Sequence, residues 1–201
     1  MSDIIRLQDR ERFLKQQSER RQAVLLIDGS DSMTDSKKKL ATEGAFEFSC
    51  GAVKKNYLVG AIGFSTDAQL ICKPTTDLER LRKACACYPV SGMTFIGAGL
   101  VAARKLNLKS GDVVVVVTDG QCGKPSETLS IAASLKTEGI EILAIGTDDA
   151  DQSFLQRLAS RPDLGLKVGL GQFKSAITNA SRLLPDRKSA SDRDSVTRPK
   201  K

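Results

Sequence analysis

Short unbroken apolar runs alternate along the chain with segments whose apolar residues recur three or four positions apart. The first pattern predicts strands covered on both faces, and the second predicts amphipathic helices. Residues 23–28 (AVLLID) and 57–64 (YLVGAIGF) read as strands. Residues 112–118 (DVVVVVT) hold five consecutive valines and must lie in the middle of a sheet. Residues 68–72 form a short further strand, joined to 57–64 by a tight hairpin at Ser65-Thr66-Asp67. Strands over 140–145 and 166–168 complete the set. Ala41, Ala45, Phe48 and Ala52 sit at helical spacing, in a helix capped by Asp35 or Ser36 and running to Lys54. Further helices are predicted over 77–86, 95–106, 126–138, 152–160 and 171–184, with a loop at 89–93.

Both ends of the chain look different. Residues 2–20 predict a helix, but Ile5, Leu7, Phe13 and Leu14 are too sparse for a continuous apolar stripe. Such an arm docks weakly or waits for a partner. From Pro185 onward Ser, Lys, Arg and Asp dominate, the composition of a disordered tail. The expected organisation is a helical arm over 1–21, one domain over 22–184 and a basic tail over 185–201.

Strands that alternate with helices predict an α/β fold. The expected architecture is Rossmann-like and doubly wound: a mostly parallel central sheet, one short antiparallel edge strand, and helices on both faces. Ligands of such sheets bind beyond the carboxyl ends of the strands. Asp28 ends the first strand and Thr118-Asp119 ends the valine strand, so both carboxylates should open onto the same edge.

Composition narrows the chemistry. No apolar run approaches the roughly 20 residues that a membrane helix needs. The N-terminal apolar stretch is too short for a secretory leader, so a cytoplasmic protein without membrane contact is expected. There is no histidine, which excludes Ser-His-Asp and Cys-His catalysis. Five scattered cysteines include one near-pair, Cys85 and Cys87, without the second pair a zinc site wants, and read as reduced thiols. The formal charge is +7, of which the first 22 residues carry +2 and residues 185–201 carry +3. Basic ends can touch nucleic acid, but a solvated terminus is the favoured reading, and aromatics at 4% leave few stacking platforms.

The informative stretch is VLLIDGSDSM, residues 24–33. A buried strand runs directly into Asp28, Gly29, Ser30, Asp31 and Ser32. Asp28, Ser30 and Ser32 alternate, so a turning backbone can aim three oxygen-bearing side chains inward, and Gly29 suits the sharp exit from the strand. With Thr94 and Asp119 at the same edge, the set is all oxygen, without sulfur or imidazole. Such a set suits a hard cation: Mg²⁺ or Mn²⁺ takes six oxygens at roughly 2.0–2.2 Å, some of them water. Taken singly, each residue has a plainer reading: Asp28 and Ser30 can cap the next helix, and Asp119 can start a turn with Gly120.

Together these residues resemble the von Willebrand factor A family. Asp28-Gly29-Ser30-Asp31-Ser32 matches its Asp-x-Ser-x-Ser motif, and Met33 follows as in intracellular members. Ser91-Gly92-Met93-Thr94 is similar to the loop that carries the family's metal-site threonine, and Ala98-Gly99-Leu100 follows it. Thr118-Asp119-Gly120 resembles the last metal motif, and the resemblance spans about 22–184. It implies a metal-ion-dependent adhesion site, or MIDAS, formed by Asp28, Ser30, Ser32, Thr94 and Asp119. Asp31, Gly29, Gly120 and Cys122 would stand at its rim. The resemblance also implies an ion, Mg²⁺ or Mn²⁺, whose last position is filled by a Glu or Asp of a protein partner. The protein would then be a non-enzymatic adaptor in a larger assembly built around a kinase or phosphatase, an AAA-type ATPase or a stress-response system. Two departures stand out: Asp31 where intracellular members usually have Gly, and Met93 where a second Gly is common.

Three other readings compete. A haloacid-dehalogenase-type phosphatase also places Asp on its first strand, but its motif is Asp-x-Asp; here position 30 is Ser and Asp31 is out of step, and Lys124 would have to serve the phosphoryl group. Nucleotide binding lacks both glycine-rich signatures. Last, the domain could be a passive scaffold, with function in the terminal arms. Cys122 could report redox state, though a bystander thiol is favoured. Asp148, Asp149 and Asp151 could hold a second cation, though a solvated loop with an Asp capping the helix at Gln152 is favoured.

Overall fold

The computed structural model describes residues 20–86, 88 and 91–185. The predicted N-terminal helix and the basic tail lie outside the described residues. Six strands form one sheet: β1 (Arg21–Asp28), β2 (Tyr57–Phe64), β3 (Ala68–Thr75), β4 (Val113–Thr118), β5 (Glu141–Gly146) and β6 (Gly165–Lys167). Their spatial order is β3-β2-β1-β4-β5-β6, and every pairing is parallel except β2 with β3. Among the described residues the α-helices are α1 (Asp35–Lys54), α2 (Leu78–Cys85), α3 (Ile96–Arg104), α4 (Pro125–Thr137), α5 (Gln152–Leu158) and α6 (Leu170–Leu183). On one face of the sheet α1 packs against α2 and α6; on the other, α4 packs against α3 and α5. The expected doubly wound α/β architecture is the one observed.

The apolar runs explain the sheet. Every residue of β2 and β4 is buried, as is β1 from Ala23 onward, because helices cover both faces. The valine strand sits between β1 and β5. The antiparallel edge strand β3 is longer than expected, reaching Thr75 through Pro74. Proline lacks an N–H, so an edge strand with a free side accepts it, and the β2–β3 ladder shifts register near that point. The hairpin turn closes as expected, with Ser65 N donating to Asp67 O at 2.7 Å.

One helix start differs from expectation. The N-cap of α1 is Thr34, not Asp35 or Ser36. Met33 N donates to Ser30 O and Thr34 N to Ser32 O, both at 3.0 Å, so the chain is already winding when it leaves the Ser-rich loop. Asp35 falls in the first turn, where its charge suits the helix dipole.

Strand order positions the site. The chain moves from β1 outward to β2 and β3, then crosses back to place β4 on the other side of β1. The carboxyl ends of β1 and β4 thus flank the point where the winding reverses, the position at which such sheets bind ligands. Ile27 pairs with Val117 in register, which sets Asp28 beside Thr118.

Candidate metal centre

Three loops meet at this point: 29–34 after β1, 91–95 before α3, and 119–124 after β4. Backbone bonds lock them together. Gly29 N donates to Phe64 O at 2.6 Å, Asp31 N to Gly92 O at 3.0 Å, and Gly123 N to Thr94 O at 2.8 Å. The sequence-predicted residues Ser30, Ser32, Thr94 and Asp119 converge. Thr94 Oγ1 donates to Ser30 Oγ at 3.0 Å, the Ser30 and Ser32 hydroxyls are 3.1 Å apart, and Ser32 Oγ donates to Asp119 Oδ1 at 2.8 Å. Asp28 lies beneath them. Its Oδ1 accepts from Ser30 N at 2.8 Å, and its Oδ2 accepts from the hydroxyl of Thr118.

The spacing of these oxygens fits a small hard cation. An octahedral ion with bonds near 2.1 Å sets neighbouring ligand oxygens about 3.0 Å apart, and the hydroxyl chain is already at that spacing. Space is kept open by Gly120, where a Cβ would stand 3.1 Å from Thr94 Oγ1 and 3.4 Å from Ser32 Oγ. Asp28, Ser30, Thr94 and Asp119 are buried while Ser32 is exposed, so the cluster has a closed floor and one open mouth.

Burial governs the electrostatics. It pushes the Asp28 carboxyl above its ordinary value; bonds from Thr118 and Ser30 pull the other way, and the nearby Asp119 charge adds to the rise. Tyr88 donates its hydroxyl to Asp28 O at 2.9 Å, and burial raises that phenol too.

The rim is less uniform than expected. Asp31 turns away from the hydroxyl chain: its Oδ1 accepts from Gly92 N at 3.0 Å, so it staples the first loop to the threonine loop. Met93 is 68% exposed, leaving its bulk in solvent rather than in the site. Cys122 is half-buried and its sulfur faces Thr128 Oγ1 on α4 at 3.3 Å. Lys124 is engaged elsewhere, 4.7 Å above the Phe95 ring and 3.6 Å from Glu127. The acidic loop after β5 does not gather into a second cation site among the described residues. Asp151 caps α5 instead, accepting from Ser153 N at 2.8 Å and Phe154 N at 3.1 Å.

Lys37 was not singled out in the sequence, and Thr118 was named there without a role of its own. Lys37 Nζ donates to Asp119 Oδ2 at 2.7 Å and to Ser32 O at 3.2 Å, and pairs with Asp148 Oδ2 at 2.8 Å. Thr118 holds Asp28. Lys37 opens a run of three lysines, Lys37, Lys38 and Lys39. The available signal was positional: Lys37 falls in the first turn of α1, where the helix dipole disfavours a cation.

The chain is similar to several known proteins. The sequence profile of the von Willebrand factor type A domain matches residues 23–182. Matrilin-3 of Gallus gallus is 35% identical over 86 residues, covering 37% of this chain and 18% of that protein, so this chain corresponds to a small part of it. Proximal thread matrix protein 1 from the mussel byssus superposes with a TM-score of 0.71 at 20% identity, over 82% of this chain and 45% of that one. Another structure of that protein is described as having a zinc-occupied MIDAS motif. The vWF domain of the type V pili tip protein Mfa5 from Porphyromonas gingivalis superposes with a TM-score of 0.71 at 12% identity, over 90% of this chain and 97% of that one.

Proposed function

The chain belongs to the von Willebrand factor type A domain family, and on that premise we propose that it is a protein-binding module that captures an acidic side chain of a partner through a divalent cation. Ser30, Ser32 and Thr94 would hold the ion through hydroxyl oxygens, with Asp28 and Asp119 as its carboxylates. When bound, the ion supplies concentrated positive charge and one open position for an anionic oxygen. The observation that carries this reading is the hydroxyl chain Thr94–Ser30–Ser32, spaced at 3.0 and 3.1 Å and closed onto Asp119 at 2.8 Å.

The residues divide the work. Asp28, fixed by Thr118 and by Ser30 N, forms the floor and orients the first loop. Asp119 orients Ser32 through one oxygen. Exposed Ser32 marks the side from which a Glu or Asp of a partner would approach. Mg²⁺ or Mn²⁺ is the proposed ion, and the zinc described in the mussel protein makes Zn²⁺ the comparison.

We place the module in the cytoplasm as an adaptor of a larger assembly, built around a kinase or phosphatase, an AAA-type ATPase or a stress-response system. Free thiols at Cys50, Cys72, Cys85 and Cys122 support a reducing compartment. Among the described residues no helix is long and apolar enough to cross a membrane. We assign no catalytic activity, and turnover of a small aryl phosphate by the purified protein would overturn that assignment.

The test of the binding reading is thermal melting across a Mg²⁺ and Mn²⁺ titration of wild type, Asp28→Ala and Asp119→Ala. A ligand of the folded state at about 100 times its Kd adds about 2.7 kcal/mol of stability. Wild type should gain this and both variants should not. A wild type that stays indifferent at millimolar metal would remove the metal from the mechanism.

A further inference from the structure

Lys37 occupies an unusual place. It stands in the first turn of a 20-residue helix, where unpaired backbone N–H groups already present positive charge. Nothing about helix formation favours a lysine there. What holds it is a pair of carboxylates from two other loops, Asp119 at 2.7 Å and Asp148 at 2.8 Å. Asp148 takes a left-handed backbone, φ 48°, a conformation that costs energy in most residues and less in Asp. The next residue ties the same loop down, because Asp149 N donates to Asp119 O at 3.1 Å. Asp119 is thus held on three sides: Ser32 on Oδ1, Lys37 on Oδ2 and Asp149 on its backbone. Only Oδ1 faces the hydroxyl chain.

We propose that Lys37 is the built-in counter-cation of the metal centre, a positioning residue that pins Asp119 by Oδ2 and whose fixed charge sets how tightly a divalent ion binds. This rests on the metal-binding reading above and deepens it. Asp119 is 1% exposed and needs a cationic partner whenever no metal is present. Lys37 is that partner, so the domain can keep its site assembled without metal. The same ammonium repels an incoming dication. Lys37 therefore trades metal affinity for a preformed site, and confines Asp119 to the metal through one oxygen.

The test uses the full chain and two readouts: melting temperature in chelator, and the Mn²⁺ and Mg²⁺ dissociation constants by calorimetry. The variants are Lys37→Gln, Lys37→Met and Lys37→Arg, with Ser30→Ala as the control that removes a proposed ligand. Removing a like charge within about 4–6 Å should tighten divalent binding by about tenfold or more. Both neutral variants should also melt lower than wild type in chelator, and Lys37→Arg should stay near wild type in both readouts. Neutral variants that fold only with metal present are the extreme of the same result. A merely structural lysine would lower the melting temperature and leave the dissociation constants unchanged, which would overturn the proposal, as would weaker binding or variants that fold under neither condition. If wild type binds and Lys37→Gln binds no tighter, the role of Lys37 fails and the metal site stands. If neither binds at 20 mM, the metal reading itself fails and takes this proposal with it.

Discussion

Ser32 Oγ donates to Asp119 Oδ1 at 2.8 Å, joining two residues 87 positions apart at the carboxyl edge of the sheet. That one bond extends the chain begun by Thr94 and Ser30 onto the third loop and makes three loops a single unit. Its geometry depends on β1 and β4 being neighbours, which only the reversal of winding direction provides.

The hydroxyl cluster stays uncrowded because Gly120 has no side chain. In Gly120→Ala the new Cβ would press on Thr94 Oγ1 from 3.1 Å. We expect melting in chelator to change by less than about 1 kcal/mol, since the contact lies beside the open mouth. Metal affinity should fall at least tenfold. Full retention of the wild-type metal response would show that this space is not part of the site.

Gly51 on α1 faces Ser181 on α6, and a Cβ there would stand 2.4 Å from the serine Oγ. Gly51→Ala gains about 1 kcal/mol of helix propensity but overpacks the helix pair at about 1–3 kcal/mol. Net destabilisation is expected by denaturant unfolding. Ser181→Gly in the same chain should recover most of the loss, and absence of rescue would place the strain elsewhere.

Thr147, fully buried just beyond β5, has a hydroxyl with no hydrogen-bond partner among the described residues. Thr147→Val keeps the shape and removes a buried polar atom, which should stabilise by about 1 kcal/mol. For a domain of this size that raises the melting temperature by about 2–4 °C. A loss of stability would mean that the hydroxyl has a partner the described contacts omit.

Asp112 joins two segments at the other end of the sheet, accepting from Gln22 N at 2.8 Å and Lys109 N at 2.7 Å. Burial raises its carboxyl above the ordinary value, and the two N–H groups pull it back. An acid whose folded value lies above its unfolded one contributes most below the unfolded value. That contribution is lost as pH rises through the folded value. The stability gap between wild type and Asp112→Asn should therefore be widest near pH 3.5 and narrow towards neutrality. A gap that widens with pH would reverse the assignment.

Much of this was legible in the chain. Val113–Val117 and Tyr57–Phe64 announce buried strands because a run that is apolar on both faces has no other place to go. Asp28, Ser30 and Ser32 could be read as one ligand group because their spacing of two is local, and a single turn can aim all three. The family resemblance of Ser91–Thr94 and Thr118–Gly120 pointed to Thr94 and Asp119, though neither is near the others in sequence.

What the sequence alone determined, then, was the kind of element at each place and the oxygen character of the site, since both follow from local pattern. The tertiary structure decided which groups face one another. Asp31 reads as a carboxylate at the rim of the site, yet it accepts from Gly92 N in the opposing loop. Lys37 is one of three consecutive lysines, with nothing in the sequence to set it apart, yet two carboxylates from loops after β4 and β5 draw it inward. Thr118 reads as the end of a strand, yet it anchors Asp28 across the β1–β4 seam. Each of these contacts spans 61 residues or more. Electrostatic and hydrogen-bond partners at that range are chosen by strand order and register, and no local periodicity carries that information.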